Sequence, residues 1–408
     1  MRLSEEEKDF IAGKQGPGAR RAMEILVALG KVFHADRMVA VSSAQIAGVS
    51  YRNIGDAGLD FLSDWAGMGA TARIPAFMNP AGIDRVLWRE MCIPAHFADR
   101  QCAIIHQLER MGVQDTLTCT PYHIGHTPEP NQHIAWSESS AVSYANSVLG
   151  ARTNREGGPS ALAAAITGRV PECGLHLDEN RRATHHIIVK CAIETPADYS
   201  ALGYHIGKIV GAGVPFFEGL KIDANSWKSQ TCFKALGAAM AASGAVALYH
   251  IDGITPEAVH NRKDILSDMK ESHTVSDIDD IRKALSKSGG KLDLVALGCP
   301  HVSLDELKNI AGLIGDDRLK TPLWITTSKQ IRHEADAAGI TTHIKNAGGL
   351  IIADTCMVVA PLDQIGYHNI AVDSAKAACY LPSHQGAHVY WGSTEQCIDA
   401  ARRGQWIS

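Results

Sequence analysis

No run of lysine or arginine interrupts this 408-residue chain, and its formal net charge is only -5. The electrostatic footprint of a nucleic-acid or membrane-surface binder is therefore missing. Long apolar runs are missing too. The longest, residues 236–251, falls short of a bilayer and is broken by Gly237, Ser243, Gly244 and His250; it reads as a buried helix running into a strand, so no membrane span is expected. Residues 1–8 are acidic and lack the apolar core of a secretory signal, which makes a cytoplasmic protein the expectation. Among ten cysteines there is no Cys-x-x-Cys pair, which argues against a zinc ribbon, a thioredoxin-like dithiol or a bacterial-ferredoxin cluster. Spread over a long chain without an export signal, these cysteines suit free thiols or metal ligands better than disulfides. Nineteen histidines are present, yet helical His-x-x-x-His spacing with a glutamate base is absent. His123, His126 and His133 near Cys119 therefore read as structural groups, and His185 and His186 would point to opposite faces of a strand.

What is present is an average soluble composition, 45% apolar and 20% charged, at a length that favours two or three domains. Two stretches carry the strand, loop, helix rhythm of doubly wound α/β structure. In the first, strands are expected at residues 37–41, 72–78 and 114–118, with Ser43, Asn79 and Cys119 at their C-terminal ends. Strands at 292–297, 322–327 and 350–354 make up the second and end at Cys299, Ser328 and Cys356. Between them lies a glycine-rich middle. The expected division is 1–130, 131–275 and 276–408, each an α/β unit. Ser303 and Glu306 have capping-box spacing, which makes 299–301 a strand-to-helix loop. Parallel crossovers bring strand ends to one edge, so Cys299 and Cys356 should be neighbours. Pro159 suits the first turn of a helix whose free N–H groups could meet an anion.

Three cysteines stand in turn contexts: Thr118-Cys119-Thr120-Pro121, Gly298-Cys299-Pro300 and Thr355-Cys356-Met357. The other seven read as packing residues in helices, a strand or a loop. Three dispersed thiolates could hold a four-iron cluster with one iron open to act as a Lewis acid, or one of them could serve as a nucleophile.

Several segments together resemble the aconitase X family, a branch of the aconitase superfamily, over essentially the whole chain. They include residues 22–30, Ser43-Ala44-Gln45-Ile46-Ala47-Gly48-Val49-Ser50-Tyr51, Asn53-Ile54-Gly55-Asp56, and Thr118-Cys119-Thr120-Pro121-Tyr122. Further along come Trp136-Ser137-Glu138-Ser139-Ser140, Asn154-Arg155-Glu156-Gly157-Gly158, residues 176–181 and Gly298-Cys299-Pro300-His301.

The resemblance implies a three-domain α/β catalytic body and dehydration of a small β-hydroxy acid. It also implies an iron–sulfur cluster, of the 4Fe-4S type or a 3Fe-4S or 2Fe-2S form of it, on Cys119, Cys299 and Cys356. The small swivelling domain of the superfamily is not found in the chain, so a small partner subunit is expected. The loop at Asn154 and Arg155 tilts the substrate towards mevalonate 5-phosphate over cis-3-hydroxy-L-proline. Arg155 is then the first choice for an anion clamp, with Asn154 beside it, against the plain reading of a solvated loop arginine. Ser43, Gln45 and Ser50 could bind substrate or serve as ordinary turn and cap residues; Asn53, Glu138, Ser139 and Ser140 are similar candidates. Lys376 could serve the phosphate or be a helix-face lysine. An iron–sulfur sensor or electron carrier is the reading from another class, and an isomerase that rehydrates its intermediate is the other enzyme reading.

Overall fold

The computed structural model describes residues 1–222 and 226–407. Its first unit carries five short strands: β1 (Met38–Ala40), β2 (Ala44–Ile46), β3 (Ala76–Met78), β4 (Ala135–Trp136) and β5 (Arg169–Pro171). Parallel pairing places β2 between β3 and β4, with Ala44 opposite both Ala76 and Ala135. The expected strand at 37–41 exists as β1 but pairs antiparallel with β5 outside that sheet. Ser43 therefore follows β1 but directly precedes β2, the central strand of the parallel sheet. Residues 114–118 form no strand, only a single bridge from Gln114 to Phe77. Leu117 sits at φ 43°, a left-handed turn that a strand cannot run through. Cys119 thus lies on a loop laid along β3, where Thr118 N donates to Met78 O at 3.1 Å.

Helix Gly158–Thr167 begins with Pro159 in its first turn, as its sequence suggests. Its small alanine side chains are all buried, and the helix packs on helix Pro17–Val32 and on β2. A division at residue 130 would cut this unit, because β4, β5 and that helix all belong to its core.

The middle unit is a parallel sheet in the order β8-β7-β6-β9, made of β6 (His185–Val189), β7 (Pro215–Glu218), β8 (His250–Ile251) and β9 (Glu271–Val275). The apolar run at 236–251 is the end of helix Trp227–Gly244 leading into β8. That helix packs against helix Pro196–Val210. The approach is close enough that a Cβ on Gly203 would fall 2.5 Å from Leu236 O. Helix Asp279–Leu285 also packs on Pro196–Val210, so the unit continues beyond the expected limit at 275.

In the third unit β10 (Gly290–Lys291) pairs antiparallel with β16 (Gln405–Trp406). The main sheet contains β11 (Leu294–Leu297), β12 (Leu323–Thr327), β13 (Gly349–Ala353), β14 (Asn369–Val372) and β15 (His388–Trp391). All pairings are parallel and the order is β13-β12-β11-β14-β15. From β11 the chain winds outward to β13, then crosses back to lay β14 on the other side. The crevice between β11 and β14 is the position at which open α/β sheets bind ligands. No helix among the described residues is long and apolar enough to cross a membrane.

Candidate active site

Cys299 follows β11 through Gly298, and Cys356 follows β13 through Asp354 and Thr355. With Cys119 from the first unit they line one small cavity of about 50 Å³, along with Ser50, Asn53, Asn79, Glu138, His301 and Lys376. Gly298 and Cys299 also line an outer cavity of about 210 Å³ between the second and third units, more open to solvent than the first. All three cysteines are free thiols, and Cys119 and Cys299 are buried.

His301 holds the three loops in register. The capping box of Ser303 and Glu306 starts helix Leu304–Ile314 two residues on and fixes the loop before it. His301 N donates to Cys119 Sγ at 3.2 Å. Its ring Nε2 donates to Thr355 O at 2.8 Å, which leaves Nδ1 to accept from Thr118 Oγ1 at 3.1 Å. Each cysteine loop therefore touches this one residue, directly or through the neighbouring threonine. Burial pulls the imidazole down to about 4, so the neutral tautomer is the working form.

Glu138 caps helix Ser139–Ser147, accepting from Ala141 N at 2.7 Å and from Ser140 Oγ at 2.5 Å. Its other oxygen takes a hydrogen bond from Lys376 Nζ, which also reaches Ser140 Oγ at 3.2 Å. Both partners of this ion pair are buried. Burial works against the Glu138 charge, but Lys376 outweighs it and holds the carboxyl below its usual range. Burial likewise opposes the lysine charge, and Glu138 with the nearby thiols overcomes it and raises the ammonium. A fixed cation thus stands beside the cysteines.

Burial pushes Cys299 up to about 12, lifts Cys119 well above a normal thiol and raises Cys356, with Lys376 pulling all three back in part. A positively charged, soft group is what this donor set lacks. A single tetrahedral ion would hold its sulfurs roughly 3.8 Å apart at normal zinc–thiolate bond lengths. Among the described residues, however, the only three metal-ligating groups lying within 4.8 Å of one another are elsewhere, at His185, Glu271 and His273. The wider spread of the three thiols suits a polynuclear body better than one ion. Asn79 adds an observation of another kind: its Oδ1 is buried in the cleft wall with no hydrogen-bond partner.

Of the residues expected to bind substrate, Ser50, Asn53, Glu138 and Lys376 line the cavity, while Ser139 and Ser140 stand behind Glu138. The Ser50 hydroxyl is already committed, capping helix Tyr51–Gly67 and donating to Val359 O at 3.2 Å. Gln45 is fully buried; it donates to Thr118 O and accepts from Glu138 N, both at 3.2 Å, so it props the site from behind. Ser43 accepts from Trp136 Nε1 at 3.1 Å and does not line the cavity. Arg155 and Asn154 do not line it either. They border a separate pocket with Ile25, Leu29 and Phe33. There Asn154 is spent on Cys173 O and Leu175 N, and Arg155 is exposed. A helix start does follow Arg155, and its first residues, Gly157, Pro159 and Ser160, border that same separate pocket. His301 and Asn79 were the residues local pattern did not single out, although both follow strand ends.

Fold and site together define a multi-unit α/β enzyme whose reactive groups meet where the first and third units join. The chain belongs to the aconitase X family: models described as Aconitase X first, second and third domain match residues 1–179, 183–286 and 292–403. It is 51% identical to the phosphomevalonate dehydratase large subunit of Methanothermobacter thermautotrophicus, over 94% of each chain. The cis-3-hydroxy-L-proline dehydratase of Pseudomonas aeruginosa is 33% identical over 99% of this chain and 70% of its own length. A crystal structure of Thermococcus kodakaraensis aconitase X in its holo-form superposes with a TM-score of 0.90 at 45% identity, covering 98% of this chain and all of the other. These relatives are dehydratases by name, and the chain is an enzyme of that hydro-lyase type.

Proposed function

We propose that the chain is the large, catalytic subunit of a two-subunit cytoplasmic dehydratase that converts mevalonate 5-phosphate to its anhydro product. The observation that carries this reading is the gathering of Cys119, Cys299 and Cys356 beside the buried Lys376–Glu138 pair in one cavity, with a larger cavity on the other side of Gly298 and Cys299. Four relatives named as large subunits match at 43–51% identity over nearly full length and a fifth, of Aeropyrum pernix, at 32%, whereas the hydroxyproline enzymes match at 31–33% and are longer. The three cysteines would hold an iron–sulfur cluster, which when bound supplies a Lewis acid for departure of the β-hydroxyl.

The chain's own groups account for the rest of the binding. Removal of the proton α to the carboxylate leaves charge that spreads onto the carboxylate oxygens, and the Lys376 ammonium, preset by Glu138 and Ser140, is the group placed to stabilise it. Asn79 supplies an unspent acceptor for a substrate hydroxyl. For the phosphate, the outer cavity offers Lys228 and the first turns of the helices capped by Ser374 and Ser393. The test is anaerobic reconstitution with the small subunit, followed by dehydration assays on both acids. Turnover of mevalonate 5-phosphate is expected. Turnover of cis-3-hydroxy-L-proline alone overturns the substrate, and lack of turnover of either acid by the iron-loaded complex returns the reading to a sensor or carrier.

A further inference from the structure

The middle unit carries chemistry that dehydration does not use. His185 opens β6, and Glu271 and His273 lie on the neighbouring edge strand β9. The register sets His185 opposite Glu271 and Ile187 opposite His273, so the three side chains leave one face of the sheet at the start of its strands. Glu271 Oε2 is 3.8 Å from His185 Nε2 and 3.3 Å from His273 Nε2. Nitrogen and oxygen ligands on a tetrahedral zinc ion stand roughly 3.4 Å apart. The imidazoles are stacked and nearly parallel, 21° between ring planes.

Thr184 supplies an independent observation. Its hydroxyl donates to Val214 O at 3.3 Å, and its oxygen sits 2.8 Å from His185 Nδ1. The same oxygen accepts from Val214 N at 2.9 Å, and a metal ion on Nε2 selects the tautomer in which His185 Nδ1–H donates to it. In that tautomer the His185 Nε2 lone pair faces the Glu271 carboxylate, and a cation between the two acceptors satisfies both. A ligating histidine whose other nitrogen is pinned by a hydrogen bond is the arrangement of a prepared metal site.

We propose that His185, Glu271 and His273 bind one borderline divalent transition-metal ion, with Zn²⁺ as its representative, and so tie edge strand β9 to β6. The site is distinct from the cysteine cleft and makes no use of thiols. His205 on helix Pro196–Val210 and Lys270 are the further titratable neighbours, the first beside His273 and the second beside His185.

The experiment is calorimetric titration of Zn²⁺ into the full chain, with Co²⁺ absorption as the reporter of ligand type. One site is expected whose cobalt spectrum lacks a thiolate charge-transfer band and which is lost in His273→Ala. Thr184→Val, which keeps shape and removes the pin, is expected to weaken binding about 10- to 100-fold; His273→Gln serves if either variant fails to fold. Binding that survives both histidine variants, or a cobalt spectrum of thiolate ligation alone, overturns the proposal. Equal affinity in Thr184→Val would mean an adventitious ion only and would overturn it as well.

Discussion

Replacing Lys376 with methionine tests whether the buried cation is there for chemistry or for folding. The substitution keeps the length of the stem and strands the Glu138 carboxylate, whose side chain is 7% exposed. Breaking a buried pair from one side costs about 3–5 kcal/mol, because the remaining charge has neither water nor partner. At roughly 2 °C per kcal/mol for a chain of this size, the thermal midpoint should fall by about 6–10 °C. Glu138→Gln added to Lys376→Met removes the stranded charge and retains a side-chain acceptor for Ala141 N and Ser140, so it should recover most of that loss. Activity should not return. A double variant with near-normal melting and no turnover separates the two roles of the lysine. If Lys376→Met retains turnover within tenfold, or if the double variant is as unstable as the single one, the pair does not have the role assigned to it.

Gly298→Ala should abolish iron binding, since at φ +97° the new Cβ would meet Thr326 O at 2.4 Å and the loop bearing Cys299 would have to move; full iron content by metal analysis would contradict this. His176 is buried and held near 3, chiefly by burial, against an ordinary 6.5. A depressed group contributes stability that is complete above about pH 6.5 and is lost as pH falls towards 3, on the order of 1–2 kcal/mol at pH 5. Melting curves from pH 7.5 to 5 should show that loss reduced in His176→Gln, and an unchanged pH slope would refute it. Arg155→Ala, at an exposed position outside the cleft, should shift stability by no more than about 0.5 kcal/mol and lower kcat/KM less than tenfold; a hundredfold loss would place its guanidinium on the substrate.

The third unit was the most legible part of the sequence, and for a physical reason. Strands buried on both faces, such as Leu294–Leu297 and Leu323–Thr327, read as continuous apolar runs, and the capping box at Ser303 marks where the chain turns. The first sheet was hard to read because its strands are two or three residues long, too short to show a period. Local pattern could select Cys119 as a loop cysteine but could not reveal that its loop is strapped to β3 through Thr118 and not ended by a strand. Arg155 could not be located from local pattern for a related reason: a glycine-rich turn before a helix looks like an anion site wherever it lies, and the fold sets this one on a pocket with Ile25, Leu29 and Phe33.

The same contacts explain why assembly of the site should depend on docking of the first unit against the third. Ala81, three residues beyond β3, pairs with Thr355: its N–H donates to Asp354 O at 2.8 Å and its carbonyl accepts from Cys356 N at 3.0 Å. Nearby, Asp84 accepts from Ala353 N at 2.9 Å and from Arg332 at 2.7 Å, both in the third unit. His301 then joins the Cys119 loop to the Thr355 carbonyl. No one unit contains the three thiols in position, because Cys119 belongs to the first unit and Cys299 and Cys356 to the third, and these cross-unit bonds help bring them together. A cofactor held by all three would bind the docked chain and not its separated units, so its binding energy would add directly to the stability of that junction.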